Sequence, residues 1–149
     1  MISKTNITND LSEAAVPGFL RRLGAIFYDA LLLTALVFVA TAIVTLPFGN
    51  PSGNSLLIFQ LFVFEIIPLL FFVGFWVWGG QTLGMRAWRL KLVRMDGRPV
   101  GWGDALKRHF AAILSILSIG LGFIWIVFDP EKMAWHDKLS QTRLVLLEK

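Results

Sequence analysis

The chain has 149 residues, no cysteine, a formal net charge of +4 and 56% hydrophobic residues, with a mean hydropathy of +0.67. That apolar content exceeds what a soluble domain normally carries, so an integral membrane protein is expected. The absence of cysteine excludes disulfides, thiolate catalysis and cysteine metal sites.

Residues 1–18, MISKTNITNDLSEAAVPG, form a polar arm of mixed charge. They lack the basic-then-apolar pattern of a cleavable signal peptide, so the first hydrophobic segment is expected to be retained. That segment covers about 24–48, 25 positions with Asp29 as the one charge, and at ~1.5 Å per residue it exceeds a ~30 Å hydrocarbon core. The uncharged GNPSGN that follows has loop chemistry around an Asn-Pro turn. A second span is predicted over 55–78, with Glu65 near its middle and Pro68 one turn later. A kink is expected there, because proline removes a backbone hydrogen bond and crowds the preceding turn.

Loop 79–109 carries seven basic residues (Arg86, Arg89, Lys91, Arg94, Arg98, Lys107 and Arg108) against Asp96 and Asp104. Lys and Arg counts in short loops set topology, so this loop is assigned to the cytoplasm. Lys4, Arg21 and Arg22 agree, giving a multi-pass protein of the cell (inner) membrane with its N-terminus cytoplasmic and GNPSGN outside. Inside the loop, GGQTLG lacks the Lys and Ser/Thr of a P-loop and is expected to end span two. WRLKLVRMDGRPV alternates apolar and basic residues up to an Asp-Gly turn, and TRLVLLE closes the chain. Both read as strands, and pairing them would satisfy ladder groups that an isolated strand leaves open.

The third hydrophobic segment, 110–128, has 19 residues. It could cross once and carry the tail, 129–149, outside; alternatively Ser118, Gly120 and Gly122 in its middle permit a re-entrant hairpin. The strand pairing favours the hairpin and a cytoplasmic tail. In FDPEKMAWHDKLS a short helix is predicted from Pro130 to about Leu139 with Asp129 as N-cap, its Met133 and Trp135 suited to an interface. The expected fold is thus an all-α integral membrane protein. After the arm, residues 19–149 form one small helical bundle of three hydrophobic segments with a short cytoplasmic two-stranded β element.

Arg22 and Asp29 are seven residues apart and project from nearly the same helix face, about 10 Å apart along the axis, so they cannot touch. Arg22 can snorkel to the boundary as a topology anchor. Asp29 has less freedom: a carboxylate at that depth costs about 2.5 to 3.5 kcal/mol on insertion scales, so it should face the bundle interior, a basic partner or a wet cavity, or be protonated. Either it fixes packing, for instance against Arg108 or His109, or it lines a ligand, proton or cation pathway. Glu65 lies deeper and is either a proton-titrating group or a protonated structural carboxyl. The basic residues Arg86, Arg89, Lys91 and Arg94 are expected to face anionic lipid headgroups or a partner protein rather than nucleic acid. His109 and His136 are the only histidines, without HExxH spacing or a nucleophile motif. No metal, cofactor or enzymatic activity is therefore expected.

Taken together, PGFLRRLGAIFYDALLL, GQTLGMRAWRLKLVRMDGRPVGWGDALKRHF and FDPEKMAWHDKLSQTRLVLL resemble the RDD family of membrane proteins, named for one arginine and two aspartates. The resemblance covers nearly the whole chain. It matches the signature to Arg22, to Asp29 and, through an HD-x-L-x-x-T pattern, to Asp137, and it requires Asp137 to sit near the same face as Arg22. It implies a largely undefined molecular role, with transport of unidentified ligands suggested and sodium/proton exchange associated with some members. Two functions remain open. One is ion or small-solute transport, in which Asp29 binds a cation or proton, Arg22 tunes it and Asp137 gates it; three spans are few for alternating access, so this version requires a homo-oligomer. The other is a non-catalytic accessory protein whose Arg and Asp residues lock helices while its basic face docks a partner or lipid.

Overall fold

The computed structural model describes residues 15–147; most of the polar arm, Lys4 included, and the last two residues lie outside them. Helix α1, Phe19–Phe48, has 30 residues and a length of ~45 Å. It begins five residues ahead of the predicted span, because FLRRL continues the same helix. Its buried residues are Arg22, Ala25 and Asp29, a stripe at helical spacing confined to the first third.

Helix α2 (Asn54–Leu61), a π-helical turn (Phe62–Ile66) and α3 (Ile67–Gly79) run on as one 26-residue helix. The disturbance expected at Pro68 takes the form of this widened turn just ahead of it, where the proline ring leaves the preceding ladder short of a donor. Glu65 sits in the widened turn. These two long helices are apolar and long enough to cross a membrane. The second ends at Gly80, which is left-handed (φ 67°) and donates its N–H to Trp76 O at 3.0 Å. A Cβ there would lie 2.9 Å from Leu92 O, so glycine is needed for both conformation and space.

Beyond this stop, α4 (Leu83–Ala87) is capped by Thr82, whose Oγ1 accepts from Met85 N at 3.1 Å. Strand β1 (Leu90–Arg94) pairs antiparallel with β2 (Thr142–Leu146) in the register Leu90↔Leu146 to Arg94↔Thr142. The predicted pairing is present, and it brings the tail back to the loop that follows span two. Leu90, Leu92 and Leu144 turn inward onto Ala25 of α1, Trp76 of α3 and Met85 of α4.

The third hydrophobic segment starts earlier than predicted, at Trp102: α5 (Trp102–Leu117) and α6 (Leu121–Phe128) are bent 94° from each other. The break falls where Ser118 and Gly120 suggested it. Ile119 and Gly120 both take positive φ, 58° and 76°. Across the bend the helices approach so closely that a Cβ on Gly122 would overlap the buried Ser115 side chain. In the tail, the helix expected from Pro130 is absent. Pro130 and Glu131 form a turn, Lys132 adopts φ 54° and interrupts any helix, and α7 spans only Trp135–Leu139. Asp129 is therefore no N-cap of that helix; it accepts from Met133 N at 3.0 Å and pairs with Lys138. Met133 is buried, not interfacial.

Candidate functional site

Asp137 is fully buried, and both of its oxygens are claimed. Its Oδ2 accepts from Arg22 Nη1 at 2.7 Å and from Ala134 N at 3.0 Å, the latter closing the first turn of α7. Its Oδ1 accepts from Arg108 Nη1 at 2.6 Å. Residues 115 and 29 positions away in sequence thus meet on one carboxylate. Two guanidinium groups around one carboxylate leave surplus positive charge, which the fold spreads over neutral acceptors. Arg22 donates to Lys132 O at 2.8 Å and Pro17 O at 3.3 Å. Arg108 donates to Thr142 Oγ1 at 3.0 Å and lies 5.3 Å from the centre of the Trp76 ring. The threonine that closes the HD-x-L-x-x-T pattern is therefore a second acceptor for Arg108.

Burial alone would push the Asp137 carboxyl up; Arg108 foremost, with Arg22 beside it, overrides this and holds it below the usual carboxylate range. The adjoining His136 faces the same burial with the opposite sign. Desolvation, reinforced by the Arg108 charge, pushes it down to about 3, so it is neutral at ordinary pH. Its ring packs on Phe123 with centroids 4.7 Å apart.

Asp29 lies on the same stripe of α1 but in a separate cluster. Its Oδ2 accepts from Thr82 Oγ1 at 2.5 Å and its Oδ1 from Gly84 N at 2.8 Å. A carboxylate at the N-terminus of α4 meets unpaired backbone donors and a favourable dipole. The partners expected from sequence, Arg108 and His109, are occupied elsewhere, by Asp137 and by Glu65. A Cβ on Gly84 would overlap Ala25 O and crowd the Asp29 carboxylate. GQTLG thus does more than end a span: its threonine and second glycine receive Asp29.

Glu65 is joined to neither cluster. Its Oε1 is 3.3 Å from Nε2 of buried His109, and its side chain is 32% exposed at mid-span. On the surface, Arg86, Arg89 and Lys91 are exposed and, among the described residues, make no ion pair. Arg94, grouped with them from sequence, is engaged by Asp96 at 2.9 Å and Asp104 at 2.5 Å. These carboxylates remove it from the free basic face and raise its pKa.

A model of the RDD family matches residues 16–141. Two uncharacterized bacterial proteins are similar in sequence. YxaI of Bacillus subtilis (strain 168) is 30% identical over 125 residues, 79% of this chain and 82% of that protein. RP437 of Rickettsia prowazekii (strain Madrid E) is 26% identical over 97 residues, 62% of this chain and 53% of that protein, so the match spans about half of the latter. No solved structure matches the chain.

Proposed function

Because the chain belongs to the RDD family, we propose that it is an accessory protein of the cell (inner) membrane whose signature residues fasten a cytoplasmic platform to the spans. The platform, made of α4, the β1–β2 sheet and α7, offers a basic face to a partner or to anionic lipid. The observation that carries this reading is the occupancy of the signature carboxylates. Asp137 is enclosed by Arg22 and Arg108, and Asp29 spends both oxygens on Thr82 and Gly84. Carboxylates so engaged act as clamps, since a passing cation would have to displace their partners.

A re-entrant third segment suits this reading, because the 94° break and the β1–β2 pairing return the tail to the loop's side. The N-terminus and tail then share the cytoplasm. A reporter fused after Lys149 should score as cytoplasmic; external activity contradicts the topology. For the clamp, Asp29→Asn and Asp137→Asn should lower thermal stability or break assembly in detergent. Variants as stable and as well assembled as the parent contradict it.

One observation favours a second reading, cation-for-proton exchange by a homo-oligomer. Glu65 is partly buried at mid-span beside His109, in a π-helical turn of the kind that concentrates at functional sites. Purified chain in liposomes should then move sodium against a pH gradient, and Glu65→Gln should stop it. Absence of any sodium or proton flux removes this reading and leaves the clamp intact.

A further inference from the structure

We propose that the two-glycine end of span two is a binding site for the phosphate headgroup of an anionic phospholipid, with Arg86 and Lys91 as its cationic ligands. A groove of about 410 Å³ opens there, lined by Phe75, Trp78, Gly79, Gln81 and Arg86. Its floor belongs to the last turn of α3 and its rim to the short helix α4, so it straddles the point where the apolar helix gives way to polar chain. Trp78 is 81% exposed and meets Trp102 edge-to-face, ring centroids 6.0 Å apart. Exposed indoles at a span's end belong at the depth of lipid glycerol and carbonyl groups.

Lys91 reaches the same end from the strand: its Cγ and Cε lie 3.5 Å from where a Cβ on Gly80 would stand, so its stem crosses the glycine stop. Arg86 and Lys91, from two different elements, flank Gly79–Gly80, and neither has a carboxylate partner among the described residues. This separates them from Arg94 and Arg98, which share Asp96. Gln81 donates to Leu90 O at 2.7 Å, tying the segment between the glycines and α4 to β1, so that the rim is held in place. Free cations above an apolar floor at interface depth recognise a ligand with an anionic head and acyl tails, which is an anionic phospholipid. A soluble phosphate would leave the Phe75–Trp78 floor uncovered.

The inference deepens the docking half of the proposed function and rests on its membrane reading. The test follows thermal unfolding of the full chain in detergent as phosphatidylglycerol, phosphatidylcholine or inorganic phosphate is added. Phosphatidylglycerol should raise the unfolding temperature, and the other two should not. The Arg86→Gln/Lys91→Gln variant should need about tenfold more phosphatidylglycerol for the same rise. Lys107→Gln/Lys132→Gln, which removes two exposed charges elsewhere, should behave as the parent, and Arg86→Lys should keep most of the response. Equal losses in both double variants would mean a diffuse field and overturn the site; so would an equal response to phosphatidylcholine or inorganic phosphate. If the double variant fails to fold, Arg86→Gln alone carries the same expectation at about threefold. The clamp is read through Asp29 and Asp137, so losing the lipid site leaves that reading standing.

Discussion

The two halves of the hairpin formed by α1 and the 54–79 helix are built on different physics. In the half next to the sheet, α1 buries Arg22, Ala25 and Asp29, and α3 buries Val73, Gly74 and Trp76. In the other half, α1 buries nothing after Asp29 and α2 buries nothing at all. Lipid tails are as apolar as leucine, so the outer half gains little by packing on protein. The inner half carries five-residue elements, the helices α4 and α7 and the two strands, that are too short to hold themselves. Charged hydrogen bonds to α1 and α5 hold them, together with the apolar packing of Met85, Leu90, Leu92 and Leu144 on Ala25 and Trp76. Buried charged groups here share the positioning with that apolar core.

Breaking the polar end should therefore cost most. Asp137→Ala leaves two buried guanidinium groups without a counter-ion and should destabilise the chain by about 3 to 5 kcal/mol in denaturant unfolding in micelles. Next comes Gly84→Ala, whose methyl would overlap Ala25 O and crowd Asp29; a loss of about 1 to 3 kcal/mol is expected. Gly103→Ala, with nothing within 4 Å of the added carbon in α5, should be neutral or stabilising by up to about 1 kcal/mol. Equal costs at the two glycines would remove the close approach at Asp29.

A pH series sharpens the same contrast. His136 has a folded pKa near 3, below its ordinary 6.5. Only the unfolded chain takes up its proton between those values, so stability falls as pH drops from about 6.5 toward 3 and is level above. The slope is at most about tenfold in the folded-to-unfolded ratio per pH unit. His136→Gln should make it shallower. Asp137 adds its own loss only at the acid end: its folded pKa is depressed, so its contribution persists above the ordinary carboxylate range and disappears as pH falls below it. The smallest effect belongs to the lipid-facing half: Leu57→Ala, 66% exposed in α2, should change stability by no more than about 0.5 kcal/mol. A larger loss would show a protein partner on that face.

The two long apolar helices, the strand pairing and the break near Gly120 were legible in the sequence because each rests on a local pattern: hydrophobic length, alternation, or glycine in mid-segment. Arg22 and Asp137 could be matched through the family signature, yet their meeting could only be required, not located. Arg108 reads from sequence as a possible partner of Asp29, whereas the structure sets it on Asp137 as the third member of that cluster. A signal was present, since Ala105, Arg108 and Ser115 fall at helical spacing and all three are buried. Reading α5 as starting at Trp102 instead of Phe110 would have exposed that face. Thr82 and Gly84 were missed for a different reason: a carboxylate was expected to seek a charge, whereas hydroxyl and backbone donors at a helix start serve it without a second desolvated ion. The tail helix was set too early because Asp-Pro-Glu is good helix-start chemistry, and the left-handed Lys132 that interrupts it has no local cue.

A double-mutant cycle between Arg22→Met and Asp137→Asn, read by unfolding in micelles, bears most directly on the clamp between tail and first span. A coupling of about 2 kcal/mol or more is expected for two groups sharing a buried charged hydrogen bond. Costs that add to within about 0.3 kcal/mol would mean that the two residues do not meet, and that the tail is held by something else.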